Sequence, residues 1–153
     1  MNFVEMKELE TARLSLRRLR FEDLYDYYEH ITSDGDVTRY LELEPHQEIS
    51  ETMAELQNIL ERYEEPGFYR WAIALKEDDG IIGTFELLRF DEAEESCSFS
   101  YMLGRQWWGQ GYATEAMQEA FHFALEELGV RKILGAHMAP NAASGAVSVW
   151  DSS

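Results

Sequence analysis

The run Leu103-Gly104-Arg105-Gln106-Trp107-Trp108-Gly109-Gln110-Gly111-Tyr112-Ala113-Thr114 joins an apolar strand to the most regular helix pattern of the chain. Behind it, over 114–128, Met117, Ala120, Phe121, Ala124, Leu125 and Leu128 recur at three- and four-residue steps and form one apolar stripe. Glu115, Gln118, Glu119, His122, Glu126 and Glu127 lie off that stripe, and Gly129 supplies the stop. Gly109 and Gly111 carry no side chain and Ala113 almost none, so a ligand can approach the main-chain amides of Gly109, Gly111, Tyr112 and Ala113. The first amides of a helix have no internal partner and sit at the positive end of its dipole. Such a turn suits a phosphate or pyrophosphate. Glycines at a strand-to-helix turn also serve the turn alone, and that alternative stands beside the anion site. The spacing is not the dinucleotide fingerprint, which needs a third glycine, and no Gly-Lys-Ser or Gly-Lys-Thr follows as in a triphosphate loop.

Ahead of this run the pattern is a meander. Residues 70–75 alternate Trp71, Ile73 and Leu75 with Ala72 and Ala74. A turn at Glu77-Asp78-Asp79-Gly80 leads to a strand over 81–90. An acidic turn, Asp91-Glu92-Ala93-Glu94-Glu95, leads to a third strand over 96–103. Short turns between strands imply antiparallel pairing. Nearer the start, 12–19 alternates, with Leu14 and Leu16 on one side and Arg13, Ser15 and Arg17 on the other. A helix is expected over 21–31, ended by Asp34-Gly35-Asp36, and a second over 50–63, with Ser50 as cap and Met53, Leu56, Leu60 and Tyr63 as its apolar face. After the strong helix come a strand over 133–138, reached by a parallel crossover, and a last helix over 141–150. The whole reads as one domain over 1–153 of the α/β (α+β) class, a mixed, mostly antiparallel central sheet flanked by helices.

Composition narrows the function. Of 153 residues, 13 are Lys or Arg and 30 are Asp or Glu, a formal net charge of −17. That argues against nucleic acid, whose unspecific affinity comes from cations meeting phosphates, and against anionic membrane surfaces. It suits a cationic partner such as an amine or a basic protein, although acidity also simply confers solubility. Cys97 is the single cysteine, which excludes an internal disulfide and a cysteine-based metal cluster. No apolar run approaches the ~20 residues that span a bilayer, and the charged start does not read as a signal peptide. A cytoplasmic protein is expected.

The stretch Trp107-Trp108-Gly109-Gln110-Gly111-Tyr112-Ala113-Thr114-Glu115-Ala116 resembles the acetyl-coenzyme A loop of the GNAT N-acyltransferase superfamily, and more narrowly the group that acetylates N-termini of ribosomal proteins. The superfamily pattern, Arg or Gln, two residues, Gly, one residue, Gly or Ala, falls on Trp108, Gly111 and Ala113, with Trp108 departing at the first position as this group does. Two more segments are similar: Glu10-Thr11-Ala12-Arg13-Leu14-Ser15-Leu16-Arg17 with Phe21-Glu22-Asp23, and Asn141-Ala142-Ala143-Ser144-Gly145.

The resemblance implies an N-acetyltransferase that moves an acetyl group from acetyl-CoA to a primary amine, either a protein N-terminus or a small amine. It implies coenzyme contacts at Met102, Leu103, Trp108, Gly109, Gln110, Gly111, Tyr112, Ala113, Thr114 and Asn141. The pantetheine arm would lie in a split between the strand ending at Leu103 and the next one. Backbone amides near Leu103 are candidates for the oxyanion donors. Ser144 is the candidate proton donor to the departing thiolate, or else a helix cap. Many relatives carry a glutamate where this chain has Ser98, so His137 is the candidate base, or else a structural histidine; His30, His46 and His122 have weaker cases. Tyr25, Tyr27 and Tyr28 line the acceptor pocket or pack on the sheet. Relatives finish with two further strands that this chain does not match, so the resemblance implies a C-terminally truncated fold with an open edge beside 133–138 and a homo-oligomer that covers it. It also leaves room for a catalytically impaired domain that only binds CoA or a partner.

Overall fold

The computed structural model describes residues 1–136 and 147–151. Seven strands form one sheet in chain order: β1 (Leu9–Glu10), β2 (Leu14–Arg17), β3 (Tyr69–Leu75), β4 (Ile81–Asp91), β5 (Ser96–Leu103), β6 (Lys132–Ala136) and β7 (Val147–Asp151). All neighbours are antiparallel except β5 and β6, which run parallel across the crossover helix. The expected α/β (α+β) class and mostly antiparallel sheet are observed.

Alternation along the strands feeds two cores, because successive side chains leave opposite faces of a sheet. Leu14, Leu16, Tyr69, Trp71, Phe85, Leu87, Cys97 and Phe99 face the helix that precedes β6. That helix spans Tyr112–Glu126 and buries Ala116, Ala120, Phe121, Phe123 and Ala124. Phe123 is buried although the periodic pattern left it out, and Met117 and Leu125 are only partly covered. The helix ends as expected at Gly129, whose φ of +73° lets the Val130 amide return to the Ala124 carbonyl at 3.1 Å. The other face of the sheet, with Ala72, Ala74, Ile81 and Met102, packs on the helical segment between β2 and β3.

That segment starts as a short helical run, Leu24–Tyr27, continues through a wide turn over Tyr28–Thr32, and is followed by Gly35–Thr38, capped by the Asp34 carboxylate. Its main helix is Ile49–Arg62. Ser50 is not the cap. The Glu51 carboxylate accepts from the amides of Gln47 (2.7 Å) and Glu48 (3.1 Å), which closes the N-terminus instead and holds Glu51 below the usual carboxylate range. Met53 is exposed, while Thr52 and Ile59 are buried with Leu56.

Two further expectations are corrected. Residues 147–151 form a strand, not a helix, and pair antiparallel along β6 from Ala136↔Val147 to Lys132↔Asp151. The edge of β6 that faced solvent in the sequence reading is therefore covered within the chain, and the homo-oligomer argued from that edge loses its premise. The opening strand is also a hairpin: the Thr11 amide donates to the Leu14 carbonyl at 2.9 Å, and the Thr11 hydroxyl receives the Leu14 amide at 2.9 Å.

Candidate active site

The loop between β5 and the crossover helix is built around two left-handed glycines, Gly109 at φ +74° and Gly111 at φ +86°. Glycine adopts that backbone freely, asparagine tolerates it, and a β-branched residue does not. Among the described residues, no protein acceptor meets the amides of Gly109, Gln110, Gly111, Tyr112, Ala113 or Thr114, while the Glu115 amide begins the helical ladder at the Gly111 carbonyl (3.0 Å). Six unpaired N–H groups at a helix N-terminus are what an anion needs. Trp108 is different. Its amide already donates to Arg105 (3.1 Å), and its indole N–H donates to the Leu103 carbonyl at 2.7 Å. Trp108 thus clamps the base of the loop to the end of β5.

A second clamp was missed in the sequence. The Glu115 carboxylate accepts from the Thr11 hydroxyl, from the Arg13 amide (3.0 Å) and from Arg13 Nε (2.8 Å). Arg13 also donates to the Gln110 carbonyl (3.1 Å) and lies over the Tyr112 ring at 4.1 Å. The Thr-Glu of the loop motif and the Thr-x-Arg of the opening hairpin are one structural unit. Partial burial of Glu115 pulls its pKa up, but the Thr11 and Arg13 bonds win and hold it below the ordinary carboxylate range. Its contribution to stability is present above about pH 4.3 and is lost as pH falls through the depressed value. Glu115→Gln should therefore lower the unfolding free energy by about 1–2 kcal/mol near neutral pH. The deficit should shrink in acid, which urea unfolding at several pH values will show.

On the side of β5 away from β4 the sheet splits. β6 pairs with β5 only along Ser96–Ser98. Phe99–Leu103 have no strand partner on that side among the described residues, and Met102 and Leu103 stand at the open end. The split borders a cavity of about 760 Å³ lined from β5 by 98–102, from β6 by Leu134 and Gly135, and from the helical segment by Tyr40, Glu55 and Ile59.

A polar row crosses the cavity side of the sheet. Arg70 on β3 stands opposite Glu86 on β4, which stands opposite Ser100 on β5. Arg70 donates to the Tyr27 hydroxyl (2.7 Å) and to Glu86 Oε1 (3.4 Å) and lies 4.0 Å from Glu55. The Tyr27 hydroxyl in turn donates to Glu55. Burial and the Glu55 carboxylate raise the phenol's pKa, against the nearby Arg70. Arg70, Glu86 and Glu55 escaped the sequence reading. The available signal was a lone carboxylate inside the apolar strand 81–90, a place where an unpaired charge is rarely tolerated.

Of the expected tyrosines, Tyr27 is buried in the second core, Tyr25 is exposed, and Tyr28 donates to the Gln47 carbonyl. Ser98 lines the cavity. His30 donates Nδ1–H to the Ile81 carbonyl (3.0 Å) and packs edge-on to Trp107. His46 bonds to the Thr52 hydroxyl (2.7 Å), and His122 is exposed on the crossover helix. His137, Asn141 and Ser144 lie outside the described residues. Among the described residues, no group of three His, Cys, Asp or Glu is placed to hold a metal, and no helix is long and apolar enough to cross a membrane.

Comparison with known proteins agrees with this architecture. A solved structure from Vibrio cholerae, described as "a putative ribosomal-protein-serine acetyltransferase", superposes with a TM-score of 0.74 at 18% identity, covering 88% of this chain and 75% of that one. Spermidine N-acetyltransferase from Vibrio cholerae, solved with CoA and spermine, gives 0.67 at 21% identity, covering 82% and 71%. At these identities the likeness concerns the fold. In sequence, "Uncharacterized N-acetyltransferase p20" of Bacillus licheniformis is 33% identical over 128 residues, 84% of this chain and 71% of its own length. The family model "Acetyltransferase (GNAT) domain" matches residues 13–149, which takes in the Arg13 clamp, the split sheet and the loop together. The chain belongs to the GNAT acetyltransferase family and is an N-acetyltransferase.

Proposed function

We propose that the protein transfers the acetyl group of acetyl-CoA to a primary amine, a basic protein N-terminus or a small amine. The observation that carries this reading is the set of unpaired amides over 109–114 at one end of the split beside β5. The pyrophosphate takes those amides, and the pantetheine arm enters the split along Met102 and Leu103, with Asn141 as a further contact. The acceptor enters the cavity from the side of the helical segment. The net charge of −17 draws cations toward it and keeps nucleic acid and anionic membranes away. The amine must be neutral to attack, the developing oxyanion needs donors, and the thiolate needs a proton. Ser144 is the candidate for the last task and His137 one candidate for the first. Work in the cytoplasm, where acetyl-CoA is made and used, fits the single free thiol.

A second reading is favoured by one observation. The resemblance implies a glutamate where this chain has Ser98, and a serine lining the cavity there fits a domain that binds CoA and has lost turnover. Calorimetry with acetyl-CoA and thiol release with a panel of amines separate the two. Binding with release supports the transferase; binding without release supports the impaired domain; no binding overturns both.

A further inference from the structure

We propose that Glu86 is the proton acceptor for the attacking amine, a carboxylate supplied from β4 to a cavity whose β5 wall offers only the hydroxyls of Ser98 and Ser100. The inference rests on the transferase reading above. In the antiparallel register Glu86 faces Ser100, and Leu88 faces Ser98, so Glu86 is displaced by one strand and two residues along it from the Ser98 position, on the same face of the sheet. That is about 5 Å across the sheet and about 7 Å along it, a distance that a glutamate side chain and the acceptor's own amine span between them. All three of Ser98, Ser100 and Glu86 line the same cavity. The two serines are small, and their hydroxyls meet no protein partner among the described residues, so they leave the approach to Glu86 open and polar.

Glu86 is held for this task. Its Oε1 receives Arg70, and its Oε2 meets no donor among the described residues. Its side chain is 17% exposed, so it is placed at the wall of the cavity and not in bulk water. The neighbouring charges are few and largely committed. Arg70 is shared among Tyr27, Glu55 and Glu86; Arg62 pairs with Glu65 and lies over the Phe68 ring; His46 reaches Glu55 at 3.7 Å. Glu42 lies ahead of the main helix and Arg89 on β4 beyond Leu88, both at the cavity wall.

The step balances as follows. The acceptor arrives as an ammonium and gives one proton to Glu86 Oε2. The freed lone pair attacks the thioester carbonyl; the C–N bond forms and the C–S bond breaks. A second N–H proton goes to the departing sulfur, leaving the amide and CoA thiol, and protonated Glu86 returns its proton to water through the open cavity.

The test is thiol release by wild type, Glu86→Gln and Glu86→Asp across a pH series, with acetyl-CoA binding measured in each. Glu86→Gln should lose about a hundredfold in kcat/KM near neutral pH. The deficit should close as pH approaches the amine's own pKa, where solvent does the same work, and acetyl-CoA affinity should be unchanged. Glu86→Asp should recover part of the rate. A deficit that is absent, or constant with pH, or matched by an equal loss of coenzyme affinity overturns the assignment and leaves the transferase reading standing. A wild type that releases no thiol with any amine overturns both.

Discussion

Replacing Arg17 with methionine will cost the fold about 3–5 kcal/mol, the penalty of leaving a buried carboxylate without its partner. Arg17 is 2% exposed, although alternation along β2 placed it on the polar side with Arg13 and Ser15. Its guanidinium has five N–H donors, and all five are used. Two go to the Asp23 carboxylate (2.8 and 2.9 Å), two to Asp79 (side chain 3.0 Å, carbonyl 3.1 Å) and one to the Arg18 carbonyl (3.0 Å). Asp23, itself 7% exposed, keeps only the Arg20 amide (2.7 Å) once the guanidinium is gone. Urea unfolding should show a lower midpoint with an unchanged slope. Adding Asp23→Asn should recover part of the loss, because the stranded charge is the main cost. A loss below about 1 kcal/mol would show that water reaches Asp23 and satisfies it. Acid sensitivity should change as well. Desolvation pulls the Asp79 pKa upward, but Arg17 and Arg20 win and hold it below the usual carboxylate range. Its stabilising contribution is therefore present above about pH 4 and is lost as pH falls through the depressed value. In Arg17→Met that acid-labile part shrinks.

Gly111→Val should weaken acetyl-CoA binding by about five- to 150-fold, the equivalent of about 1–3 kcal/mol of backbone strain. Gly111 sits at φ +86°, ψ 1°, the residue just before the crossover helix. A β-branched residue is an outlier there, and relaxing it rotates the amides of Gly111, Tyr112 and Ala113 away from a shared target. Space is not the obstacle. A Cβ at Gly111 would meet only Arg13 Nη2 at 3.4 Å, and one at Gly109 would meet nothing within 4 Å. Gly111→Asn is the matched control, because asparagine tolerates the left-handed region, and it should bind coenzyme close to wild type. Calorimetry reads the affinity, and thermal unfolding shows that both variants fold. Equal affinity in all three proteins would mean that the coenzyme phosphates do not rest on these amides.

Sequence alone determined whatever depends on neighbours along the chain. The meander, the parallel crossover, the helix with its Gly129 stop and the glycine turn follow from periods of 2 and 3.6 and from glycine's freedom, all local quantities. Tertiary structure decided whatever depends on the partner across a gap. Arg17 reads as an outward polar position and Arg70 and Glu86 draw no reading, yet each is defined by a residue brought from elsewhere: Arg17 by Asp23 and Asp79, Arg70 by Tyr27 and Glu55, Glu86 by Arg70. Residues 147–151 illustrate the same point. Local composition left them open to a helix, and pairing with β6 made them a strand, since β structure draws its hydrogen bonds from another segment while a helix draws them from its own.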